Sequence, residues 1–114
     1  MLELLLKRGS NINIMDKHGK SIIAYAIQTS YLPLVKLFVH YGAEIEFIDG
    51  FKNSPLSYAI KENSIPIVEF FIEHGADTNF IDIYNVSLLA YAIQEKSLPL
   101  VKCLVDHGAD VNFI

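Results

Sequence analysis

The chain has 114 residues, 52% of them hydrophobic, with a formal net charge of -4 and a single cysteine, Cys103. That length supports one domain with a real core and leaves no room for a second. Charges break every apolar stretch before it reaches bilayer length, the longest uncharged run being Ser21 to Val35, and the nine Lys and Arg residues are scattered, which excludes a membrane span and argues against a nucleic-acid partner.

At the N-terminus, Met1 to Arg8 is too short, and charged at the wrong end, for a secretory signal. It reads as a lone amphipathic helix closed by Gly9. Asp16 to Lys20 follows as a polar turn, and Ser21 then stands where a hydroxyl can cap the helix Ile22 to Gln28. After a polar break, Pro33 fits the first turn of a second helix, where its missing N–H costs nothing. Leu34, Val35, Leu37, Phe38 and Tyr41 recur at helical spacing, and Gly42 supplies the positive φ that ends the helix. Ala43 to Asp49 alternates apolar and polar residues, which predicts a short extended hairpin arm.

The same order then repeats. Gly9, Gly42, Gly75 and Gly108 fall 33 residues apart, and Asp16, Asp49 and Asp82 keep that period. So do Ser21, Ser54 and Ser87; Tyr25, Tyr58 and Tyr91; Ala26, Ala59 and Ala92; and Pro33, Pro66 and Pro99. A unit this thin cannot bury its own apolar faces, so neighbours must stack. The second and third first helices are Ser54 to Lys61 and Ser87 to Gln94, and the later arms run from Asp77 to Asp82 and from Asp110 to Ile114. His74 and His107 precede their glycines, at the negative end of a helix dipole.

These residues resemble the ankyrin-repeat family. Ser54-Pro55-Leu56-Ser57-Tyr58-Ala59 is similar to its Thr-Pro-Leu-His-x-Ala signature, and Gly75-Ala76-Asp77-Thr78-Asn79 and Gly108-Ala109-Asp110-Val111-Asn112 match its Gly-Ala-Asp-x-Asn signature. The resemblance implies an all-α solenoid of helix-turn-helix units with β-hairpin fingers. It divides the chain into a truncated unit over 1–15 and repeats over 16–48, 49–81 and 82–114. The family histidine that knits neighbouring repeats is replaced by Ala24, Ser57 and Ala90, so cohesion is expected to lean on apolar packing. The glycine before the second helix is replaced by Ser30, Asn63 and Lys96, and the one in the hairpin tip by Lys52 and Asn85, surviving only as Gly19. Lysine is strained at positive φ, so the loops at Lys52 and Lys96 are expected to depart from the family backbone.

Both ends fall off the repeat boundaries. Leu2, Leu4 and Leu5 are in phase with Val35, Leu37 and Phe38, and Leu88, Leu89, Leu100, Cys103 and Leu104 continue the interior apolar pattern without a polar cap. That points to a piece of a longer array or, second, to head-to-tail stacking on another copy.

Chemistry-bearing clusters are scarce. The row Asp16, Asp49 and Asp82 is explained by turn bonding. His18, His40, His74, His107 and Cys103 lack zinc spacing, and Cys103 is in phase with Leu37 and Phe70, which makes it a small core hydrophobe. No phosphate loop or nucleophile motif is present, so neither an enzyme nor a cofactor or metal site is expected. Tyr25, Tyr58 and Tyr91 are expected along the inner groove wall with their hydroxyls in solvent. Leu104, Asp110, Val111 and Asn112 resemble the pattern that family members present to asparaginyl hydroxylases, making Asn112 a candidate modification site. A lone cysteine and no export signal suit an intracellular, cytoplasmic setting.

Residues repeated in every unit build the scaffold, so specificity belongs to those that vary. These are Lys17, His18, Lys20 and Gln28 in the first unit, Phe51, Asn53, Lys61 and Glu62 in the second, and Ile83, Tyr84, Val86, Gln94 and Glu95 in the third. The resemblance implies that the fingertips and the concave first-helix surface bind a protein partner. The tips run from basic, through Phe51, to apolar, which suits an extended partner with an acidic end and a hydrophobic end. The alternative is an architectural spacer, natural or designed, that extends a solenoid or assembles with itself.

Overall fold

The computed structural model describes residues 12–111. Among these residues six helices form three pairs: α1 (Ile22–Gln28) with α2 (Leu32–His40), α3 (Pro55–Lys61) with α4 (Ile65–Glu73), and α5 (Leu88–Gln94) with α6 (Leu98–Asp106). The first helices pack in one row, α1 on α3 on α5, and the second helices in another, α2 on α4 on α6. The result is an elongated body of 45 × 25 × 20 Å.

Local chemistry starts and stops each helix. Ser21, Ser54 and Ser87 sit in extended backbone, and their hydroxyls accept from the backbone amides of Ala24, Ser57 and Ala90 at 3.2, 3.1 and 3.0 Å. Each satisfies an amide that the helix itself leaves orphaned. The second helices have no side-chain cap and carry proline in the first turn instead. At the other end Gly42, with φ at +106°, donates to Val39 at 3.0 Å while Ala43 donates to Phe38 at 2.9 Å. That pairing is a Schellman closure, and it recurs at Gly75 and Gly108. The imidazoles of His74 and His107 reinforce it, with Nδ1 2.8 Å from the carbonyls of Phe70 and Cys103.

Two expectations about loops change. Lys52 and Lys96 take up positive φ rather than avoiding it: they hold +61° and +56°, alongside Ser30, Asn63 and Asn85 at +54° to +61°. The turn geometry between stacked units over-determines these positions, and each non-glycine residue there carries about 1–3 kcal/mol of strain. The arms are not extended ladders. Single antiparallel bridges, Met15 with Ser21 and Ile81 with Ser87, are what pairs the fingers, and a turn in which Phe47 donates to Glu44 at 3.3 Å interrupts the arm between the first and second pairs.

The core is a continuous seam. Ile23, Ile27, Val35, Leu56, Ile60, Ile67, Val68, Phe71, Leu88, Leu100 and Leu104 are all fully buried or nearly so. The α3–α4 pair, with neighbours on both sides, is buried over all of Pro55 to Ile60. Cohesion is not apolar alone. Asn13 accepts from the Glu44 amide at 2.7 Å and donates to the Gly42 carbonyl at 3.1 Å. One period on, Glu46 accepts from the Asp77 amide at 3.1 Å, and Asn79 accepts from the Asp110 amide at 2.7 Å. A second ladder joins Ser30 to Ser64 at 2.8 Å and Ser97 to Asn63 at 3.0 Å. These bonds replace the missing histidine network, each worth about 1 kcal/mol net.

Candidate functional site

Each fingertip is organised by one aspartate. Asp16 Oδ1 accepts from the amides of His18 and Lys20 at 2.9 and 3.1 Å. Asp49 Oδ1 does the same for Phe51 and Asn53 at 2.9 and 3.3 Å, and Asp82 Oδ1 for Tyr84 and Val86 at 2.9 and 3.0 Å. The other oxygen, Oδ2, accepts from the tyrosine nine residues on: Tyr25 to Asp16, Tyr58 to Asp49, and Tyr91 to Asp82 at 3.1 Å. The tyrosine hydroxyls are therefore bonded rather than left to solvent alone, although Tyr25 is 47% exposed and only Tyr58 is buried. They tie each fingertip to the first helix of its own unit.

Charge follows from these bonds. The Tyr25 hydroxyl, with the Lys20 and His18 amides, holds the Asp16 carboxyl down to about 2. Burial works against ionisation of Asp82, but the Val86 and Tyr84 amides and the Tyr91 hydroxyl outweigh it and keep that carboxyl below its ordinary value. The tyrosines shift the other way. Hydrogen bonding to Asp16 raises Tyr25, whereas at Tyr58 and Tyr91 burial leads and the aspartate adds to it. Burial, then Glu69, Asp106 and Glu73, raises the Cys103 thiol, which keeps it protonated and unreactive.

The variable residues gather in two places. Lys20, Gln28, Phe51 and Asn53 line a depression with Tyr58 between the first and second tips. The Lys20 ammonium donates to Gln28 and stands 4.4 Å from the Tyr25 ring centre. Phe51, Asn53, Lys61, Ile83 and Tyr84 line a second cleft with Gly50, Lys52 and Asp82. There the Lys61 ammonium donates to Asn53 at 3.0 Å and lies 4.9 Å from the Tyr91 ring centre. Its volume is about 250 Å³, below the ~300–1,000 Å³ of typical cofactor pockets.

Other candidates fall outside both clefts. Glu62 and Glu95 cap the C-termini of α3 and α5, about 10 Å along the helix from the fingertip end. Gln94 is exposed at the end of α5, Lys17 and His18 are exposed at the first tip, and Val86 is half-buried. Sequence reasoning missed Lys52, Tyr58 and Asp82 as lining residues. The last two were read as scaffold because they repeat, and Lys52 was read only as a strained loop residue. Asn112 lies outside the described residues. Among the described residues, no group of three or more His, Cys, Asp or Glu side chains could hold a metal, and no helix is long and apolar enough to cross a membrane.

A family model for ankyrin repeats, in three copies, matches residues 30–114. The chain belongs to the ankyrin-repeat family. Among curated proteins, none matches it. As an ankyrin-repeat domain it is of a kind that generally serves protein interaction and is typically non-catalytic. The family assignment also gives the repeated residues their role. The caps, Schellman glycines, aspartates and tyrosines are the ankyrin scaffold, and the fingertip side chains are what differs from unit to unit.

Proposed function

We propose that this ankyrin domain holds a protein partner along its fingertips and concave first-helix face, and that it binds rather than catalyses. One observation carries the reading. The aspartates of the tips are consumed by internal bonds, while Phe51, Ile83 and Tyr84 remain exposed there, where a monomer gains nothing from large apolar groups. Lys17, His18, Lys20, Gln28, Asn53, Lys61, Glu62, Val86, Gln94 and Glu95 complete the proposed surface. The repeat boundaries 16–48, 49–81 and 82–114 are part of the same proposal, as is work inside the cell, where a lone cysteine stays reduced. Replacing Phe51 and Tyr84 together by Ser in the natural protein is expected to lower partner capture at least tenfold with an unchanged circular-dichroism spectrum. Undiminished capture would remove both residues from the surface.

A second reading is self-stacking, and the open face beyond α5 and α6 favours it. Ile93 is 45% exposed although its counterpart Ile60 is 1% exposed, and Leu98 and Val105 are open as well. Sedimentation across a concentration series tests it: a species that grows with concentration, and reverts with Ile93→Lys, is the expected result. A strict monomer at high concentration would end this reading.

A further inference from the structure

The gap between the second and third fingertips is built differently from the gap between the first and second. In the latter, Gly19 and Gly50 bring their backbones together, and the Gly50 amide donates to the Gly19 carbonyl at 2.7 Å. A Cβ on Gly50 would stand 2.9 Å from the Gly19 Cα, closer than real side chains come. One period on, the same places hold Lys52 and Ile83. Both carry the Cβ that this approach forbids, and no backbone bond joins them among the described residues. The second and third tips lack that backbone contact, and a cleft of about 250 Å³ lies between them.

Its walls are apolar and cationic. Phe51, Ile83 and Tyr84 are 49%, 61% and 75% exposed. The Lys61 ammonium is held at the cleft by Asn53, and Lys52 lies beside it. Asp82, the carboxylate in the lining, accepts from the Tyr84 and Val86 amides at one oxygen and from the Tyr91 hydroxyl at the other, and it keeps its negative charge beside Lys61, which helps hold its carboxyl down. Asp16 and Asp49 are engaged in the same way. Lys17, Lys20, Lys52 and Lys61 set four positive charges against the three of Asp16, Asp49 and Asp82, and in the cleft itself Lys52 and Lys61 face the one carboxylate of Asp82.

We propose that this cleft takes one apolar side chain from an extended acidic segment of a partner protein, with a neighbouring carboxylate of that segment on Lys61. The inference rests on the fingertip reading above and adds to it the register and the chemistry of the bound segment. The size of the cleft admits a single side chain, its aromatic and aliphatic walls select an apolar one, and its two ammonium groups against one carboxylate favour the acidic neighbour.

The test uses the full chain and three capped peptides: acetyl-(Glu-Leu)3-amide, acetyl-(Gln-Leu)3-amide and acetyl-(Glu-Ser)3-amide, titrated by amide NMR. The Glu-Leu peptide is expected to bind at least fivefold more tightly than either control and to shift Phe51, Lys52, Ile83 and Tyr84. Lys61→Gln is expected to weaken it roughly two- to fivefold, the range of an exposed ion pair, while Lys102→Gln, exposed on α6, leaves it nearly unchanged. Lys52→Gly with Ile83→Gly, which permits the tips to close, is expected to abolish it. Equal binding of the three peptides, shifts confined to other faces, or tighter binding of a ribo-oligonucleotide would each overturn the proposal. Partner capture that depends on Phe51 and Tyr84 while the peptides show no charge preference ends this inference and leaves the fingertip reading standing.

Discussion

At Tyr58 a single hydroxyl satisfies Oδ2 of the buried Asp49, so Tyr58→Phe leaves that carboxylate oxygen without its donor. The expected cost is roughly 1–3 kcal/mol, read from the urea midpoint. The same bond at the exposed Tyr25 acts on titration instead. A carboxyl held down to about 2 when folded contributes stability above its ordinary value, and loses that contribution as pH falls from about 4 to about 2. Tyr25→Phe is therefore expected to move the Asp16 carboxyl titration upward, measured by carbon NMR, and to flatten the acid limb of stability over that window. An unmoved midpoint would mean that the turn amides alone set it. None of this was legible beforehand. The sequence placed the aspartates in turns, but the tyrosine hydroxyl meets its aspartate only because the tip folds back over nine residues.

Elements were far more readable, because their signals are local. Serine caps, first-turn prolines and closing glycines each act within a few residues, and among the described residues they stand where the 33-residue period put them. What the period hides is contact between non-equivalent positions. Gly19 and Gly50 touch across neighbouring fingers although they occupy different places in the unit, so no alignment of the repeats pairs them. Gly50→Ala puts a methyl group about where Gly19 stands, and overpacking of this kind costs about 1–3 kcal/mol. The expected result is that loss together with faster exchange of the Gly50 amide, whose bond to Gly19 breaks. Retained protection at Gly50 would show that the tips can shift without penalty. The extended arms failed for a related reason: alternation was present in the residues, but the turn at Glu44 to Phe47 takes the backbone groups a ladder needs.

Across the whole molecule, translational repetition gave the architecture its two rows of helices, and repetition also explains where binding chemistry is found. A stack stabilises itself through nearest neighbours, so groups that recur in every unit are spent on the seam, the caps and the inter-pair ladders. The residues free to differ lie at the fingertips and along the first helices, and the structure divides even these. It draws Phe51, Asn53, Lys61, Ile83 and Tyr84 around one cleft and leaves Glu62 and Glu95 at the far end of the helices. Sequence pattern could separate scaffold from variable residues, but not tell which variable residues share a surface, since that depends on how far neighbouring tips stand apart. Hydrogen exchange on the natural protein, alone and with the protein that copurifies with it, tests the binding claim most directly. Slowed exchange at residues 50–53 and 83–86, with α2, α4 and α6 unchanged, is the expected result; slowing confined to those second helices, with the fingertips unaffected, would contradict it.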